Sequence, residues 1–149
     1  AGLGAPPIES GSWRAVLDAI SRSNRICIYD RAGLGKSDPP PKLPRTSRDV
    51  ADDLDALLVK AGVPGPYLLV GHSWAGNHLR VFAGRHPEKV LGVVLVDSAH
   101  PDQDEKWTAV LPAPSPDEPE SVRKIRELFA TRADPATNPE RIDFRASEA

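Results

Sequence analysis

The sequence predicts an α/β protein in which short parallel strands alternate with helices, and three observations carry that expectation. The apolar run Tyr67-Leu-Leu-Val70 leads straight into Gly71-His-Ser73-Trp-Ala75-Gly76 and then a helical pattern. The run Val90-Leu-Gly-Val-Val-Leu-Val96 is apolar without interruption, the signature of a strand in a sheet covered on both faces. Helical periodicity separates these runs, so right-handed parallel crossovers are the expected connections.

Each element has its own reason. Ala1-Gly-Leu-Gly-Ala-Pro-Pro7 is glycine- and proline-rich, a loop rather than a helix or strand. Ser12 can cap a helix whose apolar positions Trp13, Val16, Leu17 and Ile20 recur at helical spacing. Arg25-Ile-Cys-Ile-Tyr29 is a short β-branched run, read as a strand, and Asp30 to Pro44 an extended surface loop. Thr46 or Ser47 caps a second helix with Val50, Ala51, Leu54, Leu57, Leu58 and Ala61 on one stripe. Asp49, Asp52, Asp53 and Asp55 load its early turns, where the helix dipole favours them, and read as a solvated face. Gly62 and Pro64 end it. A third helix carries Leu79, Phe82 and Ala83 and stops at Pro87. Beyond Val96 no strand pattern recurs; prolines 112, 114, 116 and 119 punctuate a linker, and one helix follows at about 120–131.

Composition narrows the function classes. The 149 residues make one domain's worth of chain with a net charge of −2, so nucleic acid and an anionic membrane are not expected partners. The single cysteine, Cys27, has no partner for an internal disulfide and reads as a buried, inert thiol. No apolar run is long enough to span a bilayer and no signal peptide is visible, so a cytoplasmic location is expected. The chain has no methionine and is read as a piece of a longer product.

The chemistry centres on Ser73. Gly71-x-Ser73-x-Ala75 comes close to the nucleophile-elbow pattern, in which a sharp strand-to-helix turn strains the serine and exposes its Oγ. Small neighbours are required because strand end and helix start pass within contact distance. Ala75 is a mild departure from the usual glycine, with Gly76 following. Gly33-Leu-Gly35-Lys36-Ser37 imitates the end of a phosphate-binding loop, but the required earlier glycine is Asp30. Neither a cofactor nor a metal is implied.

Four segments together resemble bacterial α/β-hydrolase-fold proteins in order and spacing: Asp30-Arg-Ala-Gly-Leu-Gly-Lys-Ser37, Gly71-His-Ser73-Trp-Ala-Gly76, Arg85-His-Pro-Glu-Lys-Val90 and Val94-Leu-Val-Asp-Ser-Ala-His-Pro-Asp-Gln103. The resemblance implies a partial α/β-hydrolase fold: a parallel sheet of about three strands, lacking early and late ones, flanked by helices, with residues 1–103 as core and 104–149 as the start of a lid-like insertion. It implies hydrolysis of an ester, amide or thioester of a small acyl substrate by a serine nucleophile through an acyl-enzyme, with Ser73 attacking and the backbone N–H groups of Trp74 and Leu3 binding the oxyanion. It also implies that the family's late acid and histidine lie outside this chain, so that the chain alone is expected to be inactive. His72, His78, His86 and His100 are poor substitutes, His100 the least so. Asp97 matches a position that supplies the acid in a minority of the family, and Asp30 is expected to organise its loop. Trp107, Leu111, Ile125 and Phe129 either line an acyl pocket or pack a helix onto the sheet. The family's strand order puts a strand between the runs 25–29 and 67–70, so unpaired edges and self-association through them are expected. A non-catalytic binding module, a proline iminopeptidase-like enzyme and a cofactor-free haloperoxidase-like enzyme remain as alternatives.

Overall fold

In the computed structural model residues 2–143 and 146 are described, Ala133 by its backbone alone. The closing run Arg145-Ala-Ser-Glu-Ala149, whose sequence reads as helical, falls almost wholly outside the described residues. The elements are helix α1 (Arg14–Ile20), helix α2 (Ser47–Lys60), strand β1 (Tyr67–His72), helix α3 (Ala75–Arg85), strand β2 (Val90–Val96), helix α4 (Gln103–Val110) and helix α5 (Glu120–Ala133), with one 3₁₀ turn at Pro87–Lys89.

The strands β1 and β2 pair in parallel, Tyr67 opposite Val90 and, after an irregularity between Tyr67 and Leu68, Leu69 opposite Val93, Val70 opposite Val94 and His72 opposite Val96. The pairing is parallel as expected, and α3 connects the two strands. Among the described residues the sheet holds two strands where the sequence predicts about three. Arg25–Tyr29 runs without regular structure, because a β-branched segment becomes a strand only when a neighbour satisfies its backbone groups. Cys27, expected to be buried there, is exposed for the same reason.

The core lies on one face of the pair. Ala51, Leu54 and Leu58 of α2, Leu69 of β1 and Phe82 of α3 form one buried cluster, with Tyr29, Tyr67, Leu79 and Val93 packed against it. Alternation along β1 buries Leu69 and Gly71 while exposing Leu68 and Val70. The apolar run of β2 predicted cover on both faces; instead Leu91, Val94, Leu95 and Val96 are exposed. Helix α1 does not supply that cover, since none of its residues is buried and Val16 and Ile20 face solvent.

Helix α2 begins on a capping box: Asp49 N–H donates to Thr46 Oγ1 at 3.2 Å and Thr46 N–H donates to the Asp49 carboxylate at 2.9 Å. The aspartates behind it are ion-paired rather than merely solvated. Asp52 meets Arg85 at 2.8 Å, Asp53 meets Arg45 at 2.6 Å and Asp55 meets Lys89 at 2.5 Å. Two of these pairs tie α2 to the end of α3 and the turn after it. Helix α4, which is not among the elements the sequence predicts, packs on α5 through an edge-on Trp107–Phe129 contact at 5.5 Å.

Candidate functional site

Ser73 sits between β1 and α3 with φ = 56°, the left-handed region that a non-glycine residue occupies only at a steric cost. Its backbone is fixed on three sides: Ser73 N–H donates to Val96 C=O at 3.2 Å, and Ser73 C=O accepts from Gly76 N–H and Ala99 N–H, each at 3.1 Å. The turn explains the small residues around it. A β-carbon on Gly71 would lie 2.7 Å from Leu79 Cδ1 and 3.2 Å from Ala75 C, and one on Gly76 would lie 1.8 Å from Ser98 Oγ. The closest approach is thus at position 76, so Ala75, buried as it is, keeps its methyl.

The N-terminal loop closes over the serine. A β-carbon on Gly2 would stand 3.6 Å from Ser73 Oγ, so the Gly2 backbone borders the hydroxyl directly. Leu3 packs against the buried cluster of Val50, Trp74, Ala99 and Ile142, which brings the two sequence-predicted oxyanion residues, Leu3 and Trp74, into one neighbourhood with Ser73. Leu3 N–H donates to no described protein acceptor. Trp74 is the N-cap of α3, at the end of the helix where its dipole favours negative charge.

The loop is held from beneath by a buried ion pair. Arg31 donates from Nε to Glu140 Oε2 at 2.7 Å and from Nη2 to Glu140 Oε1 at 2.5 Å, with both side chains almost inaccessible. The same Nη2 donates to Gly2 C=O at 2.9 Å, and Gly4 N–H donates to Glu140 Oε1 at 2.7 Å. Burial pushes the Glu140 carboxyl up, but the hydrogen bonds and charge of Arg31, with the Gly4 N–H, outweigh it and hold Glu140 below the ordinary carboxylate range. Neither residue stood out in the sequence as part of the site. Arg31 lay in a quoted motif without a role, and its partner is 109 positions away. Asp30, its neighbour, is buried and accepts Ile8 N–H at 3.2 Å, and Ser37 Oγ donates to its carbonyl at 2.6 Å.

The histidines are dispersed. His78 is buried on α3, its Nδ1 2.9 Å from Ser47 Oγ and its Nε2 without a described partner. Burial, and then the charge of Arg31, lower its pKa to about 3, so the ring is neutral. The His86 ring lies 4.9 Å from that of Phe82, tilted by 46°. His100 is exposed, 3.7 Å from Asp102. His72 ends β1 beside Gly2, whose β-carbon would stand 3.9 Å from its Nδ1. None of the described histidine nitrogens is hydrogen-bonded to Ser73 Oγ. Asp97 directly follows β2, exposed and with φ = 42°, one residue beyond the strand position that bonds Ser73. The C-terminal segment returns to the same place: Arg132, paired with Asp104, stands 5.6 Å over the Trp74 ring and 4.8 Å over Phe129. Phe129 is buried, while Trp107 and Ile125 are exposed.

A family model described as "alpha/beta hydrolase fold" matches residues 1–136. The chain belongs to the α/β-hydrolase fold family. Among curated relatives of this hydrolase-fold chain, a protein named "Probable transporter efuK" from Hormonema carpetanum is 46% identical over 90 residues, which cover 58% of this chain and 13% of that protein. Epoxide hydrolase 3 of Xenopus tropicalis is 34% identical over 91 residues, covering 60% of this chain and 24% of that enzyme. Among solved structures, wild-type Cfl2 from Burkholderia cenocepacia superimposes with a TM-score of 0.60 at 29% identity, covering 82% of this chain and 39% of Cfl2. The hydrolase-fold chain therefore spans well under half the length of each of these. Among its described residues no helix is long and apolar enough to cross a membrane.

Proposed function

We propose that this α/β-hydrolase chain carries the nucleophile and oxyanion half of a serine-hydrolase site acting on an ester, amide or thioester of a small acyl substrate. The observation that carries the reading is Ser73 itself, held at φ = 56° between a strand and a helix with the Gly2 backbone against its hydroxyl. Ser73 Oγ attacks the carbonyl carbon, the carbonyl oxygen becomes an oxyanion between the N–H groups of Leu3 and Trp74, and the leaving group departs to give an acyl-serine that water then cleaves. An oxyanion donor of this kind is worth roughly 3–4 kcal/mol in the transition state.

The base is the other half. A serine hydroxyl needs one, usually a histidine oriented by a carboxylate, and no described histidine bonds to Ser73 Oγ. Asp97, which directly follows the β2 residue that bonds the Ser73 backbone, is the candidate for the orienting carboxylate. In such sites removing the histidine costs on the order of 10⁶ in kcat and leaves about 10³–10⁴ over water, so this chain alone turns over a nitrophenyl ester no faster than that residual. The same missing contact favours a second reading, a binding module that keeps the fold without the chemistry.

A fluorophosphonate separates the two. With imidazole added as a base, Ser73 Oγ forms a bond to phosphorus, fluoride leaves and imidazole takes the hydroxyl proton. Mass spectrometry locates the adduct on Ser73, and Ser73→Ala abolishes it. Labelling of other nucleophiles only, at an equal rate in Ser73→Ala, favours the binding module.

A further inference from the structure

We propose that Arg31, clamped by Glu140, is a positioning residue that sets the plane of the Gly2–Leu3 peptide beside Ser73 and so aims the Leu3 N–H. The inference rests on the reading of Leu3 as an oxyanion donor and adds the device that would make it one.

The C=O of Gly2 and the N–H of Leu3 belong to a single peptide unit. Among the described residues the cis peptides are Leu43–Pro44 and Gly65–Pro66, so this unit is trans, and its C=O and N–H point in opposite directions within one plane. Fixing the oxygen therefore fixes the direction of the N–H. Arg31 Nη2 holds the oxygen at 2.9 Å, and Ala5 N–H is a second, longer donor to it at 3.3 Å. A cation on the carbonyl also draws electron density from the amide and makes the opposite N–H a better donor.

The arginine cannot wander, because Glu140 grips it through two oxygens at 2.7 and 2.5 Å. The Glu140 carboxylate holds the far side of the loop as well, through Gly4 N–H at 2.7 Å. The peptides on both sides of Leu3 are thus tied to one rigid fork and carboxylate. Gly4 is at φ = 68°, and a β-carbon there would lie 2.8 Å from Pro139 Cβ. Loop and clamp thus meet at Gly4 as well as at Gly2, and Gly2 and Glu140 are joined through a single guanidinium. Lysine would not replace it: an ammonium is a point charge without the planar fork that serves a bidentate carboxylate and a carbonyl together.

The test uses the full 149-residue chain, isotopically labelled, and the fluorophosphonate reaction with imidazole. In the unaltered protein the Arg31 Nη protons are expected to exchange slowly and the Gly2 carbonyl carbon to resonate downfield as a charge-bonded acceptor. In Arg31→Lys the Gly2 carbonyl signature is expected to vanish, the Leu3 amide to shift, and Ser73 phosphonylation to slow about tenfold, less than the 10²–10³ seen when an oxyanion donor is deleted outright. An Arg31→Lys protein that melts as the parent does and phosphonylates at the parental rate overturns the proposal. Should the variant not fold, rapidly exchanging Arg31 protons and an ordinary Gly2 carbonyl in the unaltered chain overturn it equally. If the unaltered Ser73 takes no phosphonate at all, the nucleophile reading fails, and the positioning of the peptide is judged on its resonances alone.

Discussion

A β-carbon placed on Gly76 would lie 1.8 Å from Ser98 Oγ and 2.8 Å from Ser98 Cβ. The first turn of α3 is thus pressed against the loop that leaves β2, and that contact lets Ser73 stand at the mouth of the turn. Rotating the serine hydroxyl would relieve the first clash but not the second. Gly76→Ala is therefore expected to destabilise the fold by about 1–3 kcal/mol, the usual penalty of overpacking. Gly84 lies on the same helix with nothing within 4 Å of its β-carbon position, and Gly84→Ala is expected to stabilise by about 0.5–1 kcal/mol. Urea melts of the two variants should fall on opposite sides of the parent; equal midpoints would refute the packing argument.

The start of α2 makes a narrower prediction. Thr46 closes a reciprocal capping box with Asp49, and burial, opposed by the hydrogen bonds from Lys42 and Thr46, leaves the Asp49 carboxyl below its ordinary value. Thr46→Ala should cost about 1 kcal/mol and Thr46→Ser next to nothing, serine being at least as good a cap, read from thermal midpoints. A Thr46→Ser loss as large as that of Thr46→Ala would show that the methyl, not the cap, matters.

How far the sequence foretold this arrangement depends on the range of the interaction. Ser73 and its turn were legible because everything the turn needs lies within a few residues: the strand before, the helix after, the small side chains between. The Thr46 cap was legible as one of two neighbours for the same reason. Arg25–Tyr29 misled because its β-branched composition reports fitness for a sheet, while strand formation depends on a neighbouring chain that composition does not reveal. Arg31 and Glu140 were illegible for the converse reason. A charged pair across 109 positions leaves no local pattern, and arginine and glutamate are mostly exposed unless paired. The four aspartates of α2 were legible for their preference near a helix start, yet the pairing of Asp53, Asp52 and Asp55 with Arg45, Arg85 and Lys89 emerged only once α3 and the preceding loop were in place.

Acid should unfold the protein through His78 before it does so through Glu140. The buried ring, faced by Arg31, Glu140 and Arg45, has a folded pKa of about 3 against an ordinary 6.5. Below pH 6.5 the unfolded chain binds a proton the folded chain refuses, so stability is full above 6.5 and falls as pH drops from there towards about 3. The slope is on the order of 1.4 kcal/mol per pH unit at its steepest. Glu140, whose folded pKa is lowered, adds its loss only below about 4.5. Urea melts between pH 6.5 and 5 isolate the histidine. His78→Gln should flatten the dependence in that window, and an unchanged slope would mean that another group carries it.

The outer face of the sheet governs behaviour in solution. Val70 and Val94 are direct partners across β1 and β2 and are 49% and 43% exposed, with Leu68 and Val96 continuing the row. Apolar side chains aligned on an uncovered two-stranded sheet, beside edges with unpaired N–H and C=O groups, invite pairing with another copy. We expect the chain to self-associate at micromolar to millimolar concentration through this surface. Val70→Lys combined with Val94→Lys places two like charges side by side on that face without touching the buried cluster of Leu69 and Phe82. Sedimentation velocity should show the double variant shifted towards monomer with its far-ultraviolet circular dichroism retained. If the parent is already monomeric at the same concentrations, or the double variant assembles as the parent does, the outer face is not the surface of association.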